Sequence, residues 1–388
     1  MSNVSDIVYL DYAAATPMDD AVLAAMQPYF SERFYNPSAT YSAARQVRGD
    51  LEAARAQVAH WLGARPAEIV FTAGGTEANN LAIRGVMAAY PDGNVVVSAI
   101  EHESVLATAQ AYDCRIAPVT ADGLVDVDKL MALVDDGTVL ISVMYANNEV
   151  GTIQPIRKIT AAVEVIRKAR QANGNIRPLQ VHTDAAQAAA YLDLHTARLG
   201  VDLLSINAGK IYGPKQVGAL FVSAGLRLQP QVSGGGQEGG LRSGTENVAG
   251  AVGLAAALDL VQNRRSDEAR RLQQLQQLFF EQLTAEIPGV VINGSRKNRL
   301  PNNVHITLSG QDNERLIFAL DEQGIVCAAG SACSASDEEP SHVLKAMGIS
   351  DVAAQASLRF TMGAGTTEAQ VRTTIAALKQ LTGELVTT

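Results

Sequence analysis

Between Ile69 and Phe221 the chain alternates short β-rich apolar runs with longer stretches whose apolar residues recur at helical spacing. EIVFT is followed by a helical pattern from Thr76, VVVSA by one after His102, and TVLISVMYA by one after Pro155; LQVHTD then opens a further run. That rhythm predicts a parallel sheet covered by helices, an α/β fold. Open sheets of this kind bind ligands beyond the carboxyl ends of their strands, and Thr76, His102, Asn147 and Asp184 each stand directly after a strand run. After Gly250 the pattern lengthens into one helix, with Leu272, Leu275, Phe279 and Leu283 at helical spacing among Arg, Gln and Glu. Beyond it come a strand at NNVHITL, a helix from Asn313, a small-residue loop around Cys333, a strand at SLRFT and a closing helix. These predict a smaller α+β domain, made of residues 261–388 with 1–17 packed alongside, next to a large domain of residues 18–260.

A chain of 388 residues, 47% hydrophobic and without repeats or low-complexity tracts, is long enough to bury a large core. Its net charge of -9 and lack of a Lys/Arg stripe argue against nucleic-acid binding. MSNVSDIVYLDYAAAT lacks the basic start and apolar run of a signal peptide, and no 18-residue apolar stretch occurs, so a cytoplasmic protein with no membrane partner is expected. Three cysteines, Cys114, Cys327 and Cys333, are too few and odd in number for a disulfide framework. At least one free thiol and a reducing compartment follow.

Three distant segments carry the chemistry: VHTDAAQ around Asp184, INAGKIYGPK around Lys210, and GSACSAS around Cys333. A lysine amine can hold an aldehyde cofactor as a Schiff base, and a carboxylate can keep a pyridine nitrogen protonated. Together with a thiol they point to pyridoxal phosphate chemistry ending in attack by a cysteine. Each residue also has a plainer reading. Asp184 could cap the helix after it, His102 could open one, Lys210 could be an exposed loop lysine as Lys215 is taken to be, and Cys333 could be a reduced surface thiol. The glycines of AGGTEANN allow close approach to an anion at a helix start, and no Walker pattern is present there or at NAGKI. Gln187 could hydrogen-bond a ring hydroxyl. Arg359, a charge inside an apolar strand, needs an anion, either a substrate carboxylate or a structural partner. GGGQEGGLRSGTEN has the backbone freedom to approach a ligand or a second subunit. Cys327 and Cys333 lack the spacing of a metal site, and no metal is expected.

At these positions the chain resembles the cysteine desulfurases of the iron–sulfur-cluster type, within the fold-type I, class V aminotransferase-like enzymes that use pyridoxal 5'-phosphate. The resemblance spans nearly the full length and rests on YLDYAAATP, FYNPSA, FTAGGTEANNLAI, EHESV, NNEVGTIQPI, HTDAAQ, KIYGPK, GGGQEGGLRSGTEN, GSACSAS and SLRFTMG, in that order. It implies a mainly parallel seven-stranded sheet between helices and a homodimer. It further implies Lys210 as the Schiff-base lysine, Asp184 on the pyridinium, Gln187 on the ring oxygen and His102 stacked over the ring. Gly75, Thr76 and, from a partner subunit, Thr245 would lie near the phosphate. Asn147 would contact cofactor or substrate, and Asn36 with Arg359 would hold the substrate carboxylate. Cys333 matches the persulfide-forming cysteine. L-cysteine would be the substrate, and a cluster scaffold or a tRNA- or DNA-thiolating enzyme the sulfur acceptor. One departure stands out: the family usually places Ser-x-His before the lysine, where this chain has Asn207, Ala208 and Gly209. The Asn207 amide can still donate there. A transaminase or selenocysteine lyase would use Lys210 and Asp184 without Cys333, and a non-catalytic sulfur-assembly scaffold is a third reading.

Overall fold

The computed structural model describes residues 7–330 and 340–384. Its strands are β1 (Val8–Tyr9), β2 (Ile69–Thr72), β3 (Asn94–Ser98), β4 (Cys114–Ala117), β5 (Thr138–Ser142), β6 (Gln180–Asp184), β7 (Leu203–Asn207), β8 (Gly218–Val222), β9 (Val290–Ile292), β10 (Asn303–Leu308), β11 (Ile325–Val326) and β12 (Ser357–Thr361). Seven of them form one sheet in the order β2-β8-β7-β6-β5-β3-β4. β8 runs antiparallel to both its neighbours, so β2 and β7 point the same way and the rest of the sheet is parallel.

Residues of β3 and β5 are buried along their whole length, Val95, Val96 and Val97 completely, because helices cover both faces. Burying each such side chain contributes about 1.5–3 kcal/mol. The expected seven-stranded α/β architecture is therefore present. β4 is half-exposed at the sheet edge, and β9, though apolar, is a partly exposed three-residue strand.

A second, antiparallel sheet has the order β12-β10-β9, while β1 pairs in parallel with β11. The helix Val248–Glu286 joins the two cores. Its first half places Val248, Ala251, Leu254 and Leu258 in the large core, and its second half places Leu272, Leu275, Phe279 and Leu283 in the smaller one, as the spacing requires.

The Gly-rich segment after β8 is held from beneath. Glu238 forms a bidentate ion pair with Arg55 at 2.6 and 2.9 Å and also accepts from the Phe71 backbone N–H at 2.8 Å, all buried. Its backbone sits at φ 49°, a left-handed conformation that a non-glycine residue adopts at a cost. Glu238→Ala removes the buried partner of Arg55 and leaves it only the more exposed Glu52 carboxylate, so chemical denaturation should show a loss of about 3 kcal/mol.

Candidate active site

The carboxyl ends of β2, β3, β5, β6 and β7 open on one edge of the large sheet. There a cavity of about 210 Å³ is lined by residues far apart in sequence, among them Gly75, Thr76, His102, Asp184, Gln187, Asn207, Lys210 and Arg359. Each wall follows from local structure. The turn after β2 carries Gly74 at φ 128° and opens the 15-residue helix Gly75–Ala89, which has no side-chain cap and whose first residues, Gly75 and Thr76, line the cavity. A Cβ added to Gly75 would stand 3.3 Å from Asn207 Cβ and 3.5 Å from its Nδ2, so the Asn207 amide lies against the helix start. Asn207 Oδ1 accepts from Gly209 N at 3.1 Å, which leaves its NH₂ group as the donor end.

Asp184 ends β6 and is 7% exposed. Its Oδ2 accepts from Asn79 Nδ2 at 2.7 Å and its Oδ1 from Ala186 N at 2.9 Å, so it holds a turn where the sequence suggested a helix cap, while it also lines the cavity. Asn79 lines the same cavity. It lies one helical turn beyond Gly75 in AGGTEANN, a signal the sequence contained and the motif reading passed over.

Two buried ionisable side chains near Asp184 are pushed towards their neutral forms. Burial lowers the pKa of His182, two residues earlier, to about 4, and its ring bridges Ser142 Oγ at 2.8 Å and Ser205 Oγ at 3.0 Å across three adjacent strands. Burial, with the Asp184 charge adding to it, pushes the Glu101 carboxyl well above the usual range. His182 is therefore neutral near pH 7, and Glu101 is biased towards its protonated form.

Lys210 follows β7 on a short 3₁₀ turn, and its Nζ donates to the carbonyls of Ala13 and Ala14 at 2.7 and 2.6 Å. Gln187 Nε2 donates to Ala13 O at 3.0 Å. The N-terminal segment YLDYAAA thus forms a wall of the cavity. Lys215 instead donates to Thr16 O at 2.5 Å and lies outside the lining. His102 caps the helix Glu103–Ala109, with Nδ1 accepting from Ser104 N at 3.0 Å; that contact puts the proton of the neutral ring on Nε2.

Arg359 on β12 is 1% exposed. It pairs with Asp11 Oδ1 at 2.7 Å and donates to Asn148 O at 3.2 Å, while its buried Nε has no hydrogen-bond partner among the described residues. Asp11 was not foreseen, although it stands in the quoted YLDYAAATP.

Three expected residues lie elsewhere. Asn147 is completely buried and outside the lining: its Nδ2 donates to Ile100 O at 3.0 Å, and its Oδ1 accepts from Glu149 N and Val150 N, both at 2.9 Å. Its amide is consumed in holding the turn, and the adjacent Asn148 lines the cavity instead. Asn36 is exposed, with Oδ1 accepting from Ser38 N at 2.8 Å in a local turn. Thr245 is exposed on the Gly-rich segment and does not line this chain's cavity. Cys333 lies outside the described residues.

Comparison with known proteins gives a consistent result. The aminotransferase class-V family model matches residues 8–373. The cysteine desulfurase IscS of Dictyoglomus turgidum is 40% identical over 387 residues, covering 98% of this chain and 95% of that protein. Among solved structures, a NifS-like protein superposes with a TM-score of 0.87 at 32% identity, covering 97% of this chain and 99% of that one. SspA in complex with cysteine superposes with a TM-score of 0.79 at 34% identity, covering 92% and 98%. The chain belongs to the class-V aminotransferase family and, within it, to the cysteine desulfurases.

Proposed function

We propose that the protein converts L-cysteine to L-alanine and passes the sulfur to Cys333 as a persulfide, from which an acceptor protein takes it for iron–sulfur cluster assembly or thio-modification. The observation that carries this reading is the convergence of the Lys210 amine, the Asp184 carboxylate and the Arg359 guanidinium on one cavity. The residues there fit pyridoxal phosphate: Gly75, Thr76 and the Asn207 amide form a cradle for a phosphate, and Asp184 offers a carboxylate to a protonated ring nitrogen. When bound, that cofactor supplies an aldehyde for Lys210 and a ring that accepts electrons.

The chain's own groups do the rest. In this reading Gln187 would hydrogen-bond the ring oxygen and His102 would lie against the ring. Arg359 holds the substrate carboxylate, and Asn148, whose carbonyl accepts from it, stands beside it in place of the expected Asn147. Lys210 Nζ removes the Cα proton. The Cys333 thiolate then attacks the substrate sulfur; the Cβ–S bond breaks as the S–S bond forms. The balance is one cysteine and one Cys333 thiol consumed for one alanine and one persulfide, protons returning through Lys210 and water. In this reading the protein is a cytoplasmic homodimer, with the exposed Thr245 of one subunit serving the phosphate of the other.

Supplying L-cysteine without any 2-oxo acid tests the reaction class. A desulfurase releases alanine under those conditions, whereas a transaminase needs the oxo acid and yields none. Asn207→Ala should weaken cofactor retention about tenfold, the loss of one hydrogen bond to a charged group, as read by equilibrium dialysis; Asn207→Ser, which keeps a donor, should recover most of it.

A further inference from the structure

Asn79 spends the NH₂ group of one side-chain amide on two walls of the cavity. It donates to Asp184 Oδ2 at 2.7 Å and to Ser104 Oγ at 2.9 Å. Ser104 Oγ in turn lies 2.9 Å from His102 Nδ1, which accepts from Ser104 N at 3.0 Å, so the hydroxyl also donates to the ring. All four residues line the same cavity. A continuous hydrogen-bonded path therefore joins the Asp184 carboxylate, at the end of β6, to the His102 imidazole, at the start of the helix Glu103–Ala109.

The direction of the amide is fixed by its partners. A carboxylate oxygen accepts, so the NH₂ end must face Asp184, and Asn79 Oδ1 is left buried without a hydrogen-bond partner among the described residues. Asn79 is 1% exposed, and an orphaned acceptor at that depth costs stability. The next residue, Asn80, shows the contrast: it bonds Thr76 O, Arg84 and Thr108, local partners on its own helix and the neighbouring one. Stability alone would favour an apolar side chain at position 79. What the amide secures in return is the site. With Ala186 N on Oδ1 and Asn79 on Oδ2, both oxygens of Asp184 are held, and the plane of its carboxylate with them.

We propose that Asn79 is a positioning residue that sets the Asp184 carboxylate and the His102 imidazole as one unit, so that the two groups facing the ring of a bound pyridoxal phosphate keep a common geometry. The inference rests on the reading that this cavity takes that cofactor. Its Asp184 arm acts through the ring nitrogen. The analogue 1-deazapyridoxal 5'-phosphate, with carbon in place of that nitrogen, keeps the aldehyde and the phosphate but offers Asp184 no partner.

Equilibrium dialysis of both compounds against wild type and Asn79→Ala separates orientation from general damage to the cavity. Asn79→Ala should weaken binding of pyridoxal phosphate about tenfold, the loss of one hydrogen bond to a charged group, and binding of the deaza analogue by no more than about twofold. Asn79→Ser, one bond shorter and still polar, carries the same comparison should the alanine variant fail to fold. Ser104→Ala cuts only the His102 arm. It should weaken pyridoxal phosphate about threefold in the wild-type background but less than about twofold on top of Asn79→Ala, because the path is already broken there. Equal losses for the two compounds, no loss for either, or independent effects of the two substitutions would overturn the inference while leaving the cofactor and desulfurase readings intact. Wild-type protein that binds neither compound overturns the cofactor reading and the inference together.

Discussion

Lys210→Ala should cut alanine release from L-cysteine by at least roughly 10²–10⁴-fold, the contribution of one positioned proton-transfer group, with the lost cofactor linkage adding to it. The expectation follows from where the amine sits. Lys210 lines the cavity that Asp184 and Arg359 also line, and its Nζ is held by two carbonyls of the N-terminal segment. Quantifying alanine at saturating cofactor checks it. Because the role is that of a primary amine, added methylamine should restore part of the rate. A variant that keeps more than a tenth of wild-type turnover would remove Lys210 from the mechanism.

Cys333→Ala should separate the two halves of the reaction. The variant keeps every described residue of the cavity, so L-cysteine should still change the cofactor absorbance with near wild-type affinity. Sulfur release should fall by about 10²-fold or more, since no thiolate remains to take the sulfur from carbon. Sulfide assay and intact-protein mass read this outcome, and undiminished sulfide production would place the sulfur acceptor elsewhere.

Much of this site was legible because the sequence carries it at strand ends. EIVFT, VVVSA and LQVHTD are apolar runs that a two-sided covering of helices demands, and whatever follows such a run stands at the carboxyl edge of the sheet. Of the four residues that logic singled out, Thr76, His102 and Asp184 line one cavity; Gly75, Gln187, Asn207, Lys210 and Arg359, named from motifs or from the resemblance, line it too. It failed where the decision belongs to a single turn. Asn147 and Asn148 are adjacent and chemically identical, and only the backbone of the NNEVG turn determines that the first is spent on Ile100, Glu149 and Val150 while the second faces the cavity. Asp11 escaped because its partner Arg359 lies 348 residues away, a pairing that no local pattern announces. The antiparallel course of β8 was hidden for the same reason, since strand direction is settled by tertiary pairing and not by the apolar run itself. Thr245 and Asn36 sit on exposed segments outside this chain's cavity, and the resemblance, not the local pattern, singled them out.

Incubating the cofactor-loaded protein with L-cysteine and a thiol reductant, and counting alanine and sulfide together, tests the central claim most directly. The desulfurase account predicts the two in equal amounts over many turnovers with no oxo acid present. Loaded protein that binds L-cysteine yet yields no alanine would contradict it.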